Sequence, residues 1–598
     1  MKKIAGFISK AANVFGLFII LVISLIAARS LFAPGYFIMH DDLQMMRQLE
    51  MEKCFLDGQI PCRWVPDMGY GFGFPLFNYY PPLPYLIGEV FRIFGFTFVF
   101  SAKLTFALSI IASGIAMYLL AKDFFGRIGG ILSAIFYIWA PYHAVDVFVR
   151  GAMNESWALV WFPLILWSSY KLIKEFKFEK RWLILLSIVY SLLLMSHNIM
   201  VLIFTPLLAL WVFVHLWLSN TWRRLLPLFI AGVLALGMSA FFTLPSYFEQ
   251  KYVNISSLVQ DYFDYSGHFV TVNQLFFSRF WGDGASAFGE ENDGMSFSLG
   301  YFHWSLSLVV GVFLLIKWVM NMKEIGVIRV LKADRLLLTV CYFLVVGWFS
   351  AFMAHSRSTF IWQSIDILRF LQFPWRFLTL SILGMSFVVG AIPVILETIV
   401  GKSFIKMILV FPIKLLILLI LAVSVITINW NFFKPVREGS LTDSEKFSGE
   451  AWRIQQGAGI RDYLPISARF DPREQRKTLT EVMTGEAQIS REELGTYWAK
   501  FNINTQSETA KVRINIFSYP NWRVFRAIDL NSEEIETFVP EEEEWGRMWI
   551  ELPKGEHLIY VQLFNTPIRT FSNIVSILSW SLLLSYPLWK NRVQLKSW

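Results

Sequence analysis

The sequence predicts a polytopic α-helical membrane protein, with most of its non-membrane mass on the extracytoplasmic side. Three observations support this fold class. The chain is 55% hydrophobic with a mean hydropathy of +0.50, and only 16% of its 598 residues are charged, below the roughly 25% of soluble domains. Several apolar runs reach the ~20 residues that cross a bilayer, where backbone hydrogen bonding requires helices. The Lys and Arg residues gather in short segments between these runs.

Twelve apolar runs are predicted to span the membrane. They lie at 13–32, 97–121, 129–142, 156–173, 182–196, 199–218, 227–244, 301–319, 335–353, 375–397, 412–429 and 570–588. The first run follows a basic start and could be a signal peptide, but its length and the lack of a small-x-small cleavage site favour an uncleaved helix. A segment at 83–95 is predicted to be a re-entrant or interfacial helix.

The distribution of positive charge supports this topology. If residue 1 lies inside, each predicted inside segment carries Lys or Arg, as the positive-inside rule requires. These segments are 122–128, 174–181, 219–226, 320–335, 398–411 and 589–598. Both termini are therefore expected in the cytoplasm, and the protein in the plasma membrane. The net charge of +8 reflects these short loops and does not indicate nucleic-acid binding.

The outside segments divide the chain into three predicted parts. Residues 1–429 form a transmembrane module with long outside loops at 33–96 and 245–300, residues 430–569 form an outside domain, and residues 570–598 form the last helix and a basic tail. Alternating apolar residues with turn punctuation predict a small antiparallel β-sandwich in the second half of the outside domain.

Two of the three cysteines share the first outside loop. Cys54 and Cys62 could form a disulfide if that loop faces an oxidising compartment. Cys341 lies in an apolar run and is predicted to serve packing.

The first outside loop begins with His40, Asp41 and Asp42, directly after the first predicted helix. Two carboxylates beside a membrane span can bind a cation or accept a proton from an incoming hydroxyl. The structural alternative is an acidic first turn of a capped helix. The acidic pair is a candidate catalytic site, and His40 is a candidate supporting residue.

The same loop is dense in Gly, Pro and aromatic residues. An Arg-Trp pair begins at Arg63, and the run GYGFGFPLFNYYPPLPY ends at Tyr85. Gly and Pro fix a backbone path, and flat aromatic faces suit a sugar or an isoprenoid chain. An interfacial aromatic belt would explain the Tyr and Trp residues but not the Gly and Pro. Tyr79 and Tyr80 are candidate supporting residues.

The second outside loop combines a guanidinium with acids, carrying His143, Asp146, Arg150 and Glu155 in the segment YHAVDVFVRGAMNES. A buried Arg near the outer interface can clamp a phosphate, because its planar fork matches phosphate oxygens.

Two further arginines, Arg369 and Arg376, stand in RFLQFPWRF before a later helix and are candidates for the same role. Snorkelling to lipid headgroups is the alternative for each arginine. His197 lies at the tip of a predicted helical hairpin, where a structural role is the commoner one.

At these residues the chain resembles bacterial and archaeal membrane proteins labelled 6-pyruvoyl-tetrahydropterin synthase-related. The shared elements are Asp41-Asp42, Gly58 with Arg63-Trp64, Gly69 to Tyr85, Arg150 to Glu155, Ser196-His197-Asn198, Phe373-Pro-Trp-Arg376-Phe, and Tyr519-Pro-Asn-Trp522. The pterin label does not fit the residues, because that enzyme holds zinc with a His cluster and the eight His here show no such spacing.

The architecture is similar to polyprenyl-phosphate-dependent glycosyltransferases of the GT-C fold, including YfhO-like proteins. The resemblance implies that an acidic residue of the first outside loop, Asp41 or Asp42, is the catalytic base. It also implies inversion at the anomeric carbon, with a lipid phosphate leaving whose charge is stabilised by Arg or a metal.

The resemblance leaves two groups of candidate ligands for that phosphate and for a cation. The donor phosphate would bind among Arg63, Arg150, Arg369 and Arg376. A divalent cation could be shared by Asp41, Asp42, Asp146 and Glu155, although no motif demands one.

The implied partners are membrane lipid, a polyprenyl-phosphate sugar donor, and a glycan, lipid or protein acceptor. The 245–300 loop and the 430–569 domain are the candidates for acceptor recognition. One alternative is a transporter or flippase for a lipid-linked sugar, which should show ionisable residues in mid-helix and an internal repeat. The other is a non-catalytic membrane scaffold. It leaves unexplained the first-loop signature, by which we mean Arg63-Trp64 and Gly69 to Tyr85.

Overall fold

The computed structural model describes residues 2–175, 179–325, 335–400, 404–528 and 531–595. Within these ranges, eight helices are long and apolar enough to cross a membrane. They are Phe98–Ile138, Asn198–Ser219, Trp222–Phe248, Tyr301–Met320, Leu336–Met353, Pro374–Ile399, Phe411–Phe432 and Pro567–Ser585. The chain is therefore a multi-pass helical membrane protein, and the count of twelve spans stays a prediction.

The helices, numbered in chain order, are α1 (Lys2–Ala27), α2 (Gln44–Leu56), α3 (Leu76–Tyr79), α4 (Leu83–Ile93), α5 (Phe98–Ile138), α6 (Pro141–Phe148), α7 (Met153–Lys174), α8 (Lys180–Leu194), α9 (Asn198–Ser219), α10 (Leu225–Phe248), α11 (Val272–Phe276), α12 (Tyr301–Ile325), α13 (Arg335–Met353), α14 (Thr359–Ser364), α15 (Leu378–Val389), α16 (Ile392–Val400), α17 (Phe404–Asn429), α18 (Asp443–Lys446), α19 (Gly449–Gly457) and α20 (Pro567–Leu595). The strands are β1 (Tyr36–Phe37), β2 (Glu438–Gly439), β3 (Thr480–Thr484), β4 (Ala487–Leu494), β5 (Trp498–Phe517), β6 (Trp522–Ile528), β7 (Asn531–Ile535) and β8 (Arg547–Leu563).

The predicted runs at 97–121 and 129–142 form one helix, α5, which is interrupted at Gly126. Gly126 has a φ of +70°, a conformation that glycine adopts without a steric penalty. The interruption falls inside the predicted inside loop at 122–128. Most of the predicted inside loop at 320–335 lies outside the described residues, as do residues 176–178 and 401–403 of two other inside loops and the last three residues of the tail.

The chain forms two compact units, each assembled from separate stretches of sequence. Unit 1 comprises Met1–Asp42, Phe100–Ala235 and Asp261–Ser440, and unit 2 comprises Leu43–Val99, Leu236–Gln260 and Leu441–Trp598. Most of the first outside loop therefore belongs with the C-terminal domain in unit 2. The division predicted at 429/430 and 569/570 stays a prediction.

In unit 1, α13 packs closely against α15 because small residues face each other. A Cβ on Gly384 would lie 2.5 Å from the Phe343 carbonyl oxygen and 2.8 Å from the Cα of Gly347. The rings of Phe343 and Phe387 stack with centroids 3.8 Å apart. Close backbone approach at glycines is a usual means of packing helices in membranes.

Unit 2 contains a six-stranded sheet with the strand order β3-β5-β8-β6-β7, to which β4 is added beside β5. All of its pairs are antiparallel. Buried side chains alternate along the first half of β5, from Ala499 to Thr505. These six strands form one sheet, segments from outside the domain cover part of its buried residues, and the β-sandwich stays a prediction.

The first-loop signature supplies part of that cover. The ring of Trp64 lies 5.5 Å from the rings of both Tyr519 and Trp522, and Phe72 lies 5.8 Å from Phe517. The Phe517 amide donates to the Phe72 carbonyl oxygen at 3.0 Å. In these contacts the aromatic residues expected to suit a sugar or isoprenoid chain are used to hold the sheet.

Two tethers fix the start of the same loop. Cys54 and Cys62 are joined by a disulfide. Asp57 accepts hydrogen bonds from the Thr496 amide at 2.6 Å, from its hydroxyl at 2.8 Å and from the Trp498 indole at 2.9 Å. A half-buried carboxylate with three donors stabilises the turn between β4 and β5.

Gly73→Ala tests whether the signature packs the sheet. Gly73 has a φ of +85°, and an added Cβ would lie 2.4 Å from the Trp64 indole nitrogen. We expect backbone strain and overpacking together to lower the free energy of unfolding by ~2–5 kcal/mol, measured by thermal unfolding in detergent.

Gly58→Ala is the matched control, because Gly58 has a φ of +79° with nothing within 4 Å. Only the backbone strain of ~1–2 kcal/mol remains there. Equal losses in the two variants would show that the close approach to Trp64 does not matter.

Candidate functional site

The acidic pair lies beside the second outside loop of unit 1. The His40 amide donates to the Val149 carbonyl oxygen, and the Asp41 amide donates to the Arg150 carbonyl oxygen, both at 2.9 Å. Asp41 and Asp42 are half-buried and His40 is exposed. Two backbone hydrogen bonds therefore fix the acidic pair next to Arg150, and both carboxyl-bearing residues keep access to solvent.

Arg150 is the centre of a buried ion cluster. Its Nη1 donates to Asp146, to Glu155 Oε2 at 2.7 Å and to the Tyr142 hydroxyl at 3.2 Å. The Tyr142 hydroxyl in turn donates to Glu155 Oε1 at 3.1 Å. The guanidinium lies 4.5 Å from the ring centroid of Trp375. One cation thus bonds to two fully buried acids and stacks on an indole.

The local chain explains how these groups meet. Asp146 and Arg150 are four residues apart, a spacing that brings side chains together over one helical turn. The turn to α7 passes through Gly151, whose φ is +61° and whose Cβ, if present, would lie 2.3 Å from Met39 sulfur. Glu155 stands in the first turn of α7, where the helix dipole favours a carboxylate.

Burial and charge shift the protonation of this cluster. Burial raises the pKa of Asp146 well above its ordinary value, and the negative charge of Glu155 acts in the same direction. Burial alone would lower the pKa of Arg150, but Glu155, Tyr142 and Asp146 raise it. Arg150 therefore stays charged and is the group that allows carboxylates to remain in this place.

Arg376 joins the cluster from the segment before α15. Its Nη1 donates to the Leu371 carbonyl oxygen at 2.7 Å and to Gln372 Oε1 at 2.9 Å, and its Nε lies 3.9 Å from Glu155 Oε2. The positive φ of Gln372, +64°, marks the sharp turn that brings these acceptors to Arg376.

His197 approaches from the hairpin between α8 and α9. It is the N-cap of α9, accepting from the Met200 amide at 3.4 Å. Burial lowers its pKa, and the charges of Arg376 and Arg150 lower it further, so the imidazole is neutral. The neighbouring Ser196 carbonyl oxygen accepts from Asn154 Nδ2 at 2.8 Å.

The 261–300 stretch of unit 1 adds residues that the sequence analysis missed. The His40 ring forms a 2.8 Å hydrogen bond with the Asp283 carbonyl oxygen, and the Trp375 indole donates to the Ser286 hydroxyl at 3.1 Å. The Asp283 carboxylate pairs with Arg437 at 2.7 Å. Of these missed residues, Trp375 alone could have been found from the sequence, since it stands inside the Phe-Pro-Trp-Arg-Phe motif.

Other predicted site residues are not part of this cluster. Arg369 is exposed, with its side chain at 51% exposure and 3.9 Å from the exposed Asp366. His143 is buried on α6, but its ring bonds to the Tyr137 carbonyl oxygen at 3.2 Å. The structure therefore gives Arg369 a surface position and His143 a packing contact.

Three predicted site residues lie in unit 2, where they have other partners. Arg63 donates to Asn78 Oδ1 at 3.3 Å and to Asn573 Oδ1 at 2.8 Å. Tyr80 accepts from Arg47 at 2.9 Å. Tyr79 shares a hydrogen bond with the Tyr519 hydroxyl at 2.8 Å, and burial raises the pKa of Tyr79.

The suggested shared cation site is not formed. Among the described residues, no group of three or more His, Cys, Asp and Glu side chains is arranged to hold a metal ion. Asp146 and Glu155 both form ion pairs with Arg150.

Comparisons with known proteins give distant structural similarity. No protein-family model matches the chain, and curated proteins give no match, so the pterin-synthase-related resemblance finds no support. The chain is similar to the arabinofuranosyltransferase AftD from mycobacteria, with 14% identity and a TM-score of 0.42 over 72% of this chain and 28% of AftD. It thus spans little more than a quarter of AftD.

Two further solved structures show weaker similarity. One is an oligosaccharyltransferase from Archaeoglobus fulgidus tethered with an acceptor peptide, with 11% identity and a TM-score of 0.39 over 78% of this chain and 67% of that chain. The other is ArnT from Cupriavidus metallidurans bound to undecaprenyl phosphate, with 11% identity and a TM-score of 0.31 over 64% of this chain and 79% of that chain.

Replacing Arg150 by Met tests the ion cluster. The change leaves two buried carboxylates without their cation, and we expect the free energy of unfolding to fall by ~3–5 kcal/mol at pH 8. Arg369→Met is the matched control: it removes an exposed guanidinium and should change stability by no more than ~0.5 kcal/mol.

The pH dependence separates charge from lost packing. A buried carboxylate with a raised pKa contributes stability below its unfolded pKa of ~4 and loses it as pH rises through the raised value. The free energy of unfolding that Arg150→Met loses should therefore be smaller at pH 5 than at pH 8, as measured by thermal unfolding. An equal loss of unfolding free energy at both pH values would mean that Arg150 does not stabilise the charged form of the buried carboxylates.

Proposed function

We propose that the protein is an inverting GT-C-type glycosyltransferase that moves a sugar from a polyprenyl-phosphate donor to an acceptor outside the plasma membrane. The observation that carries this proposal is the position of the acidic pair. Asp41 and Asp42 follow α1 and keep access to solvent, and the amides of His40 and Asp41 donate to the carbonyl oxygens of Val149 and Arg150. Accessible carboxylates thus lie beside a buried cationic cluster in a protein of many membrane helices.

The reaction requires a general base, and we assign that role to a carboxylate. The acceptor hydroxyl gives its proton to the carboxylate of Asp41 or Asp42, and its oxygen forms a bond to the anomeric carbon from the face opposite the phosphate. The bond from that carbon to the phosphate oxygen breaks, and polyprenyl phosphate leaves with the electron pair. A positioned carboxylate commonly contributes 10²–10⁴-fold to such proton transfer.

The two buried arginines have different proposed roles. Arg150 is committed to Asp146, Glu155 and Tyr142, so it acts as a positioning residue that holds the segment to which Asp41 is bonded. Arg376 is a buried guanidinium whose Nε lies 3.9 Å from Glu155 Oε2, and we assign it to the charge of the leaving phosphate. The exposed Arg369 and the unit 2 residue Arg63 have no part in this proposal.

Two features support an extracytoplasmic site. The disulfide between Cys54 and Cys62 follows the acidic pair by few residues, and disulfides persist in oxidising compartments. The predicted inside segments all carry Lys or Arg, which supports an outside position for the loop after α1. A donor whose sugar lies at the membrane surface explains why the site sits among helix ends.

Asp41→Asn and Asp42→Asn test the base. With purified protein and a polyprenyl-phosphate sugar, we expect kcat to fall ~10²–10⁴-fold in at least one variant, because an amide cannot accept the proton. Asp366→Asn is the control, since Asp366 is an exposed acid with 90% side-chain exposure and should leave the rate unchanged.

Full transfer in both acid variants would exclude the assignment of the base. Wild-type protein that carries lipid-linked sugar across liposomes and transfers none of it would favour the transporter alternative.

Arg376→Gln tests the phosphate role. The loss of one positive charge should lower kcat/KM for the lipid donor by ~10–100-fold, because developing charge on the phosphate is no longer balanced. The KM for the acceptor should stay near the wild-type value. An unchanged kcat/KM for the donor, with Arg369→Gln as the exposed comparison, would remove Arg376 from the mechanism.

A further inference from the structure

Helices α2 and α4 of unit 2 run parallel and side by side. Tyr85 donates to Gln44 Oε1 at 2.7 Å, and one turn later Gln48 donates to the Tyr85 carbonyl oxygen at 3.1 Å. A further turn along, Arg92 pairs with Glu52 at 2.6 Å. The contacts advance in the same direction on both helices, so their C-terminal ends lie together.

Those two ends carry a cluster of exposed apolar side chains. Leu56, at the end of α2, is 82% exposed, and Ile60, in the loop that follows α2, is 74% exposed. Ile93 and Phe94 are 80% and 76% exposed at the end of α4. We call these four residues the apolar tip. Single exposed hydrophobic residues are ordinary, but a cluster marks a surface that is covered by something apolar.

The apolar tip is held in place. The Cys54–Cys62 disulfide closes the short loop that presents Leu56 and Ile60. Asp57, between them, is bonded to Thr496 and Trp498 of the sheet. The exposure is therefore a property of a tethered loop.

Helix α4 connects the tip to the membrane. Phe94 lies four residues before Phe98, where the candidate span Phe98–Ile138 begins. The Arg92 guanidinium lies 3.6 Å from the ring centroid of Phe98. The end of α4 thus contacts the first residue of a candidate membrane span.

The sheet gives an independent connection between the loop of the apolar tip and a membrane helix. The Leu563 amide donates to the Tyr497 carbonyl oxygen at 2.9 Å, and Tyr497 lies between the two residues that Asp57 holds. Leu563 ends β8 and is followed by the candidate span Pro567–Ser585. The loop of the apolar tip is therefore tied to the start of a second membrane helix.

We propose that the apolar tip inserts into the outer leaflet of the lipid bilayer and anchors unit 2 on the membrane surface. The occupant is lipid because α4 leads along the chain into one candidate membrane span, and hydrogen bonds of Asp57 and Leu563 connect the loop of the tip to the start of another. Glu52 lies one turn before Leu56 and Arg92 lies next to Ile93, and their ion pair is suited to the headgroup region, while the apolar side chains reach the acyl boundary. This anchor does not depend on glycosyl transfer.

Spin-label accessibility tests the anchor in the intact protein. A spin-labelled amino acid replaces Leu56, Phe94 or Lys554 in separate full-length variants, reconstituted in nanodiscs of phosphatidylcholine and phosphatidylglycerol. Lys554 is the control, because it is exposed in β8, ~30 Å along the strand from Leu563 at ~3.3 Å per residue. All three positions are exposed, so the labels replace no buried side chain.

We expect a several-fold higher ratio of oxygen to nickel-chelate collision rates at Leu56 and Phe94 than at Lys554, because oxygen partitions into lipid and the chelate stays in water. The same ratio at all three positions would mean that the tip lies in water. Labels at Leu56 and Phe94 that neither reagent reaches would mean that protein covers the tip. Either result overturns the proposal.

Discussion

The bonding of Arg150 to two buried acids is the constraint on which unit 1 depends. Asp146 and Glu155 are fully buried, and a carboxylate in such a place is tolerated only with a cation and hydrogen-bond donors. Arg150 provides both, and its guanidinium stacks on Trp375. The backbone of Arg150 then receives the Asp41 amide, so the ion cluster also determines where the acidic pair lies.

Unit 2 depends on the same kind of interaction around a different acid. Glu249, at the end of α10, accepts from Thr566 at 2.5 Å, from Asn78 at 2.8 Å and from Arg569 at 2.9 Å. These donors come from the start of α20 and from the first outside loop. A single buried carboxylate thereby joins two membrane helices to the loop that packs on the sheet.

The sequence predicted features that depend on neighbouring residues, but it could not predict contacts between residues far apart in the chain. Hydropathy and charge predicted a multi-pass helical protein, and the Asp146–Arg150 spacing is one helical turn. However, the contacts of Asp283 with His40 and of Ser286 with Trp375 join segments far apart in the chain. No residue pattern in a single sequence predicts which distant residues will be in contact.

The first-loop signature shows the same limit. Its glycines and prolines indicated a fixed backbone path, which the positive φ of Gly69 and Gly73 confirms. The partner of that path is the turn around Tyr519 and Trp522, more than four hundred residues later. The alternation in β5 similarly identified a buried face but not its cover, and this is why a second sheet was expected.

The central claim is that the acidic pair and the Arg150 cluster form one catalytic site for a lipid-linked sugar. A density map of the protein with a non-hydrolysable polyprenyl-phosphate sugar analogue tests it most directly. The account predicts the phosphate against Arg376 and the sugar facing Asp41 and Asp42. A lipid headgroup bound elsewhere, with this cluster unchanged and empty of sugar, would contradict it.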